Sequence, residues 1–196
     1  MKKVFVTVFG KTKKELLEMI KISRDFTKNF ELRFDLCGSW KFDEKNLRAL
    51  FPQKSQVIFT NRGDENFAGF ANFELIDSDL DQTSPKLTAD KTLLSCHLFG
   101  EFSREKTAQT IEKLQKNPAK FYKLAVNLEN FDDLCEFYNL SKNLDQKKWI
   151  LAGMGDMGKI SRGIFAKEGF WTFAGIKNKE VATGQIDLET LYNLIK

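Results

Sequence analysis

Short runs rich in Val, Ile and Phe recur along this chain, and most are followed by a stretch with apolar residues at helical spacing. Residues 3–9 read as a first strand, ended by Gly10. Thr12-Lys-Lys-Glu15 then has the form of a capping box, ahead of Leu16, Leu17 and Ile20 at helical spacing. The pattern predicts further strands over residues 30–36, 56–62 (with Gly63-Asp64 as its turn), 73–80, 92–99, 121–128, 149–154 and 170–176. A short helix is predicted over 44–51. Longer ones run from a Ser103 cap to about residue 115, and from Phe131 with Leu134, Cys135 and Tyr138 on one face. Two more run from the tight turn at 155–158 to Lys167, and from an Asp187 cap through Leu188, Leu191 and Ile195.

The strands have faces of unequal character. In 30–36, Leu32, Phe34 and Leu36 fall on one side and Glu31, Arg33 and Asp35 on the other. In 121–128, Tyr122, Leu124, Val126 and Leu128 make an apolar face, opposite Lys123, Ala125 and Asn127. Asp77 and Asp79 share one face of the fourth strand. An open sheet covered by helices on both sides has no place for Glu31, Arg33 and Asp35. Eight strands in β/α alternation, apolar outside and charged inside, therefore predict a closed α/β barrel, a (β/α)8 TIM-type fold. The alternative is an open doubly wound sheet, and no Gly-x-Gly-x-x-Gly follows the first strand to favour it.

At 196 residues the chain is short for such a barrel and is expected to be one domain, 1–196. The shortfall falls between strands 3 and 5. Residues 63–72 and 81–90, the latter with Pro85 and no helical apolar period, are too short for full helices, so one or two outer helices are expected to be reduced or missing. The outward wall there, with Phe59, Phe73 and Leu75 or their neighbours, depending on register, as its expected apolar residues, then needs cover. The Phe-rich segment 67–73, read as core or interface, is one candidate, and a second subunit in a homodimer the other.

Net charge is +4, with scattered basic residues, which argues against nucleic acid as the main partner and suits a small anionic substrate. Cys37, Cys96 and Cys135 show no metal-like spacing, and free thiols in a reducing cytosol are the simplest account. No secretory leader and no membrane span are expected.

Chemistry enters with Lys123. If its face is enclosed, the ammonium loses water, its pKa falls, and the neutral amine can condense with a carbonyl. A lysine on a solvated edge strand is the ordinary alternative. The chain's single histidine, His97, ends the fifth strand on the same expected interior, with a structural role as its alternative. Cys96 points to the opposite face and is not expected to act as a nucleophile.

The polar strand ends form a series that resembles the type I 3-dehydroquinate dehydratases. Glu31-Leu-Arg33-Phe-Asp35 is similar to that family's Glu-x-Arg-x-Asp. Ile58-Phe-Thr-Asn-Arg62 resembles its third strand, and Ile76-Asp-Ser-Asp79 its Asp-x-Glu. Ser95-Cys-His97, Lys123-Leu-Ala-Val126, Met154-Gly-Asp-Met-Gly158-Lys-Ile-Ser161-Arg162 and Gly184-Gln185 follow in register.

The resemblance implies a lyase that dehydrates 3-dehydroquinate to 3-dehydroshikimate in the shikimate pathway, in the cytoplasm, with no cofactor and no metal. By it, Lys123 forms an imine at C3, which acidifies C2. His97 assists imine formation and hydrolysis, takes the C2 proton and returns it to the departing C1 hydroxyl. Arg162 grips the carboxylate, and Glu31 and Arg33 hold ring hydroxyls. Gln185 closes over the substrate, and Arg62 adds positive charge and orders nearby acids. Asp77 and Asp79 become structural partners of Arg33 and Arg62.

Three positions depart from the family. Its acid after the third-strand arginine is displaced by one, to Glu65; its lid serine is Val181; and Leu98 follows the histidine. These leave two other readings to weigh. One is a different Schiff-base lyase or aldolase that keeps Lys123 without an Arg162 clamp. The other is a non-catalytic or weakly active homologue that binds a pathway metabolite or a partner.

Overall fold

A computed structural model describes residues 3–43, 45–62, 72–80 and 87–196. Nine parallel strands run in the order β7-β6-β5-β4-β3-β2-β1-β8-β9. They are β1 Val4–Val8, β2 Asn29–Arg33, β3 Gln56–Thr60, β4 Leu75–Asp79, β5 Thr92–Leu98, β6 Phe121–Asn127, β7 Trp149–Met154, β8 Thr172–Gly175 and the two-residue β9 Ile186–Asp187. A parallel bridge between Ile150 and Trp171 joins β7 to the start of β8 and closes the ring. The expected barrel is present, with β9 as an extra pairing beside β8.

The helices are α1 Lys13–Ser23, α2 Arg104–Lys116, α3 Phe131–Ser141, α4 Gly158–Lys167 and α5 Leu188–Leu194. Their caps match the sequence signals. Thr12 accepts from the Glu15 amide, Ser103 from Lys106 and Asp187 from Thr190, while Asn130 and Asp133 form a full capping box. Glu15 closes its half of the box one residue early, on the Lys11 amide.

Among the described residues no α-helix lies between β2 and β5, so the thin part of the wall begins one connection earlier than expected. The helix expected over 44–51 is a 3-10 turn, Leu47–Leu50, preceded by two more at Phe34–Leu36 and Ser39–Phe42. The second strand also stops at Arg33 rather than at residue 36. Arg33 forms a two-pronged pair with Asp35, 2.9 Å from Nε and 2.7 Å from Nη2, and the chain turns there.

These turns cover the thin wall. Phe34, Leu47 and Phe51 pack with Phe59, Phe73 and Ile76 in one buried cluster, and the Phe34, Phe59 and Phe73 rings pack in sequence, tilted, at 5.1 and 5.3 Å. The register at β4 puts Leu75 inward and gives its neighbour Ile76 the outer place. The apolar wall that called for a second subunit is thus buried within one chain. The expectations for Gly63-Asp64, Glu65 and the segment from Phe67 to Phe70 lie outside the described residues. A second outer cluster joins β5–β7 to α2–α4 and includes Cys96, on the side predicted for it.

Inside the ring, alternation stacks side chains in layers. The floor is apolar: Phe5, Ile58, Leu75, Leu93, Phe121, Ile150 and Phe173, with Trp171 stacked on Phe5 at 4.9 Å. Above it the layer turns polar, with Thr7 beside Glu31 and Ser95 beside Lys123 in register. Among the described residues no helix is long and apolar enough to cross a membrane.

Candidate active site

The polar layers open into a cavity of about 620 Å³, lined among others by Glu31, Arg33, Arg62, His97, Lys123, Arg162 and Gln185. All seven residues singled out in the sequence therefore meet in one place, within the size range of small-molecule sites.

Lys123 is buried on the inward face of β6, with its Nζ 4.2 Å from the centre of the Phe173 ring. Glu31 Oε1 lies 3.7 Å away and Asp77 Oδ2 3.9 Å, and no acceptor hydrogen-bonds the amine among the described residues. Burial over the aromatic floor lowers its pKa, and the two carboxylates oppose that only in part. The amine is held near charge without being locked to it.

Glu31 is itself fully engaged. Thr7 donates to Oε2 at 2.8 Å and Thr60 to Oε1 at 3.1 Å. Neither threonine stood out in the sequence, because threonine is an ordinary strand former. Only the Thr7–Glu31 pairing in register reveals the first.

Arg62 organises the other side. Its Nη2 lies 2.8 Å from Asp77 Oδ2, its Nη1 3.4 Å from Asp79 Oδ2, and Nη2 also meets His97 Nε2 at 3.4 Å. Asp77 and Asp79 were expected to serve both arginines, but the structure gives them to Arg62 and gives Arg33 to Asp35. Burial works to raise the Asp77 pKa, and Arg62 and then Lys123 overcome it and hold the carboxyl below its usual range.

A guanidinium only donates, so the His97 nitrogen facing it must accept, which places the ring proton on Nδ1. Nδ1 lies 3.9 Å from Asp79. Burial, then Lys123 and Arg62, push the His97 pKa down to about 3, leaving a neutral imidazole at physiological pH. The sign for stability follows. An unfolded chain takes up the histidine proton near 6.5 and the folded one only near 3, so acid favours unfolding across that window. Asp77, depressed when folded, adds in the same direction at its lower end. The melting temperature is expected to fall as pH drops from 6.5 toward 3, with a smaller fall for His97→Gln; equal slopes in both proteins would contradict this.

Arg162 is buried on α4, where Nε donates to Gly153 O at 3.2 Å and Nη1 to Phe173 O at 3.3 Å. Burial lowers its pKa to about 10, offset in part by Glu31, so it stays charged at neutral pH. No carboxylate pairs with it among the described residues.

The glycines of its motif explain how it gets there. A Cβ on Gly153 would fall 2.0 Å from Ser161 Oγ, so α4 packs tightly on β7 only with glycine at that point. Gly184, at φ +72, has no room for a Cβ, which would fall 2.8 Å from Gly158 Cα, so the last loop also crosses the α4 turn closely. That crossing brings Gln185 to the site. Its Nε2 donates to Thr7 Oγ1 at 3.1 Å and its Oε1 accepts from the Val181 amide at 2.9 Å.

Among the described residues, no three His, Cys, Asp or Glu side chains converge in a group that could hold a metal ion. What converges instead is a desolvated amine, a neutral imidazole and a buried unpaired guanidinium.

Residues 66–196 match the family model of the type I 3-dehydroquinases. The chain belongs to the type I 3-dehydroquinase family. It is 26% identical over 190 residues to a 3-dehydroquinate dehydratase of Dehalococcoides mccartyi, covering 85% of this chain and 84% of that one. The fold matches the 3-dehydroquinate dehydratase of Geobacillus kaustophilus with a TM-score of 0.78 at 19% identity, over 100% of this chain and 90% of that one. It also matches the type I enzyme of Clostridium difficile, solved with covalently modified comenic acid, with a TM-score of 0.75 at 20% identity, over 99% and 90%. The dehydroquinase family model begins beyond β1–β3, so Glu31, Arg33 and Arg62 lie outside the matched stretch, while His97, Lys123, Arg162 and Gln185 lie within it.

Proposed function

We propose that this chain dehydrates 3-dehydroquinate to 3-dehydroshikimate through an imine on Lys123. The observation that carries this reading is a single cavity holding both the desolvated Lys123 amine and the buried Arg162 guanidinium, which no carboxylate pairs among the described residues. An amine of lowered pKa is a nucleophile for the ketone, and an unpaired buried guanidinium calls for an anion, here the substrate carboxylate. Membership of the dehydroquinase family supports dehydration of this substrate.

In the proposed sequence Lys123 adds to the C3 ketone and water leaves, giving a protonated imine. The imine draws electrons from C2. Neutral His97 takes the C2 proton and passes it to the C1 hydroxyl, which leaves as water. Hydrolysis of the imine frees the product and restores the amine. Arg162 orients the carboxylate, and Gln185 closes the site from the last loop. Glu31 and Arg33 face the ring hydroxyls. Arg62, whose nitrogens already serve Asp77, Asp79 and His97, acts through those groups and by its charge. The whole chain, 1–196, acts as one catalytic domain in the cytoplasm, with neither cofactor nor metal, and a homodimer remains compatible with an open mouth at the strand ends.

Borohydride added with 3-dehydroquinate should reduce the imine and place the added mass on the peptide that contains Lys123. An active preparation with an adduct on another lysine, or with none, refutes the assignment. Tight substrate binding without turnover or adduct would instead identify a binding homologue.

A further inference from the structure

Four side chains link the last loop to the nucleophile. Gln185 Nε2 donates to Thr7 Oγ1 at 3.1 Å, Thr7 donates to Glu31 Oε2 at 2.8 Å, and Glu31 Oε1 lies 3.7 Å from Lys123 Nζ. Thr7, Glu31 and Gln185 are all buried. The direction of every bond is fixed by chemistry. A carboxylate only accepts, so the single Thr7 hydrogen must go to Glu31. The Thr7 oxygen is then left to accept, and only the amide nitrogen of Gln185 can supply it. The Gln185 oxygen must therefore face the Val181 amide, as it does at 2.9 Å. The loop can seat in this way only with the Thr7 hydroxyl turned onto Glu31.

We propose that Thr7 is a positioning residue that couples seating of the last loop to the readiness of Lys123. With the loop seated, Thr7 holds Glu31 on the oxygen away from Lys123 and draws its charge off the amine. With the loop unseated, Thr7 has no donor to orient it, Glu31 turns to Lys123, and the ammonium form is favoured. The nucleophile is thus released from its counter-ion when the site is closed over a substrate. Glu31 and Asp77 face Lys123 as carboxylates, Arg62 and Arg33 as cations, and His97 is a neutral neighbour; of these, Glu31 alone has a path to the loop.

The inference rests on Lys123 as the imine lysine, and the test separates the two claims. The rate of borohydride trapping with 3-dehydroquinate is measured against pH in wild type and variants, and the adduct is mapped in each. Thr7→Val keeps the shape and removes the hydroxyl. Its profile midpoint should move up by about one pH unit, with trapping about tenfold slower on the acid side, the scale of one hydrogen bond to a charged group. Thr7→Ser should restore the wild-type midpoint. Thr60→Val, which removes the other Glu31 donor without touching the loop, should shift the midpoint while leaving it sensitive to Gln185. In wild type Gln185→Ala should also raise the midpoint; in Thr7→Val it should not raise it further. An adduct on Lys123 with an unmoved midpoint in folded Thr7→Val, or additive shifts from Thr7→Val and Gln185→Ala, overturns the coupling. An adduct elsewhere overturns the lysine assignment itself.

Discussion

Lys123→Met is expected to lower turnover of 3-dehydroquinate by on the order of 10⁵–10⁶-fold, the scale on which loss of a covalent nucleophile is felt. Methionine has the length and flexibility to lie over the Phe173 ring, so the barrel keeps its packing. The carboxylates left behind remain partnered, Glu31 by Thr7 and Thr60 and Asp77 by Arg62, and the variant should fold. What disappears is the route by which, in the proposed sequence, electrons from C2 flow into a cationic nitrogen. Steady-state kinetics on the purified variant, with melting temperature as the control for folding, measures this. Activity within tenfold of wild type would show that the dehydration proceeds without an imine.

The second large effect belongs to His97. His97→Ala should lower turnover by about 10²–10⁴-fold, the usual contribution of a general acid–base group. In the proposed sequence the same imidazole serves proton transfer in imine formation as well as at C2, so burst and steady-state rates should both fall. The half-buried ring is already neutral well below pH 6.5, so the wild-type profile should carry no limb from His97 near that value. Any limb there belongs to another group. With a single histidine in the chain, its ring nitrogen resonances can be followed without assignment, and they should stay constant from about pH 5 upward. A titration centred near 6.5 would remove the neutral base from the mechanism.

The inward and outward faces of the strands were legible in the sequence because a barrel obeys strict alternation. Lys123, Ala125 and Asn127 separate cleanly from Tyr122, Leu124 and Val126, and the structure keeps that separation. The partners of the charges were not legible. Arg33 and Asp35 lie two apart on one predicted face, yet the strand ends between them and their pairing takes Arg33 from Asp77 and Asp79. Thr7 and Thr60 carry no signal of their own and matter only through the register that sets them against Glu31. The part that residues 34–51 play in covering the thin wall was not legible for a related reason. Phe34 and Leu47 sit in 3-10 turns and Phe51 just after one, and the apolar residues of such turns do not repeat at the helical period.

That thin wall divides the barrel by stability as well as by shape. β5–β7 lie under α2–α4 in one continuous apolar cluster, whereas β2 and β3 are sheathed by single turns. Regions held by fewer packed layers open locally at lower free energy than the global fold. An excursion that loosens β2 and β4 carries away Glu31 and Asp77, while His97, Lys123 and Arg162 stay on the thicker side. The transiently open molecule keeps Lys123 and His97 in place but lets water reach the amine, and burial is the first cause of its lowered pKa. Breathing of the scaffold therefore works against the amine, whose lowered pKa needs the wall shut.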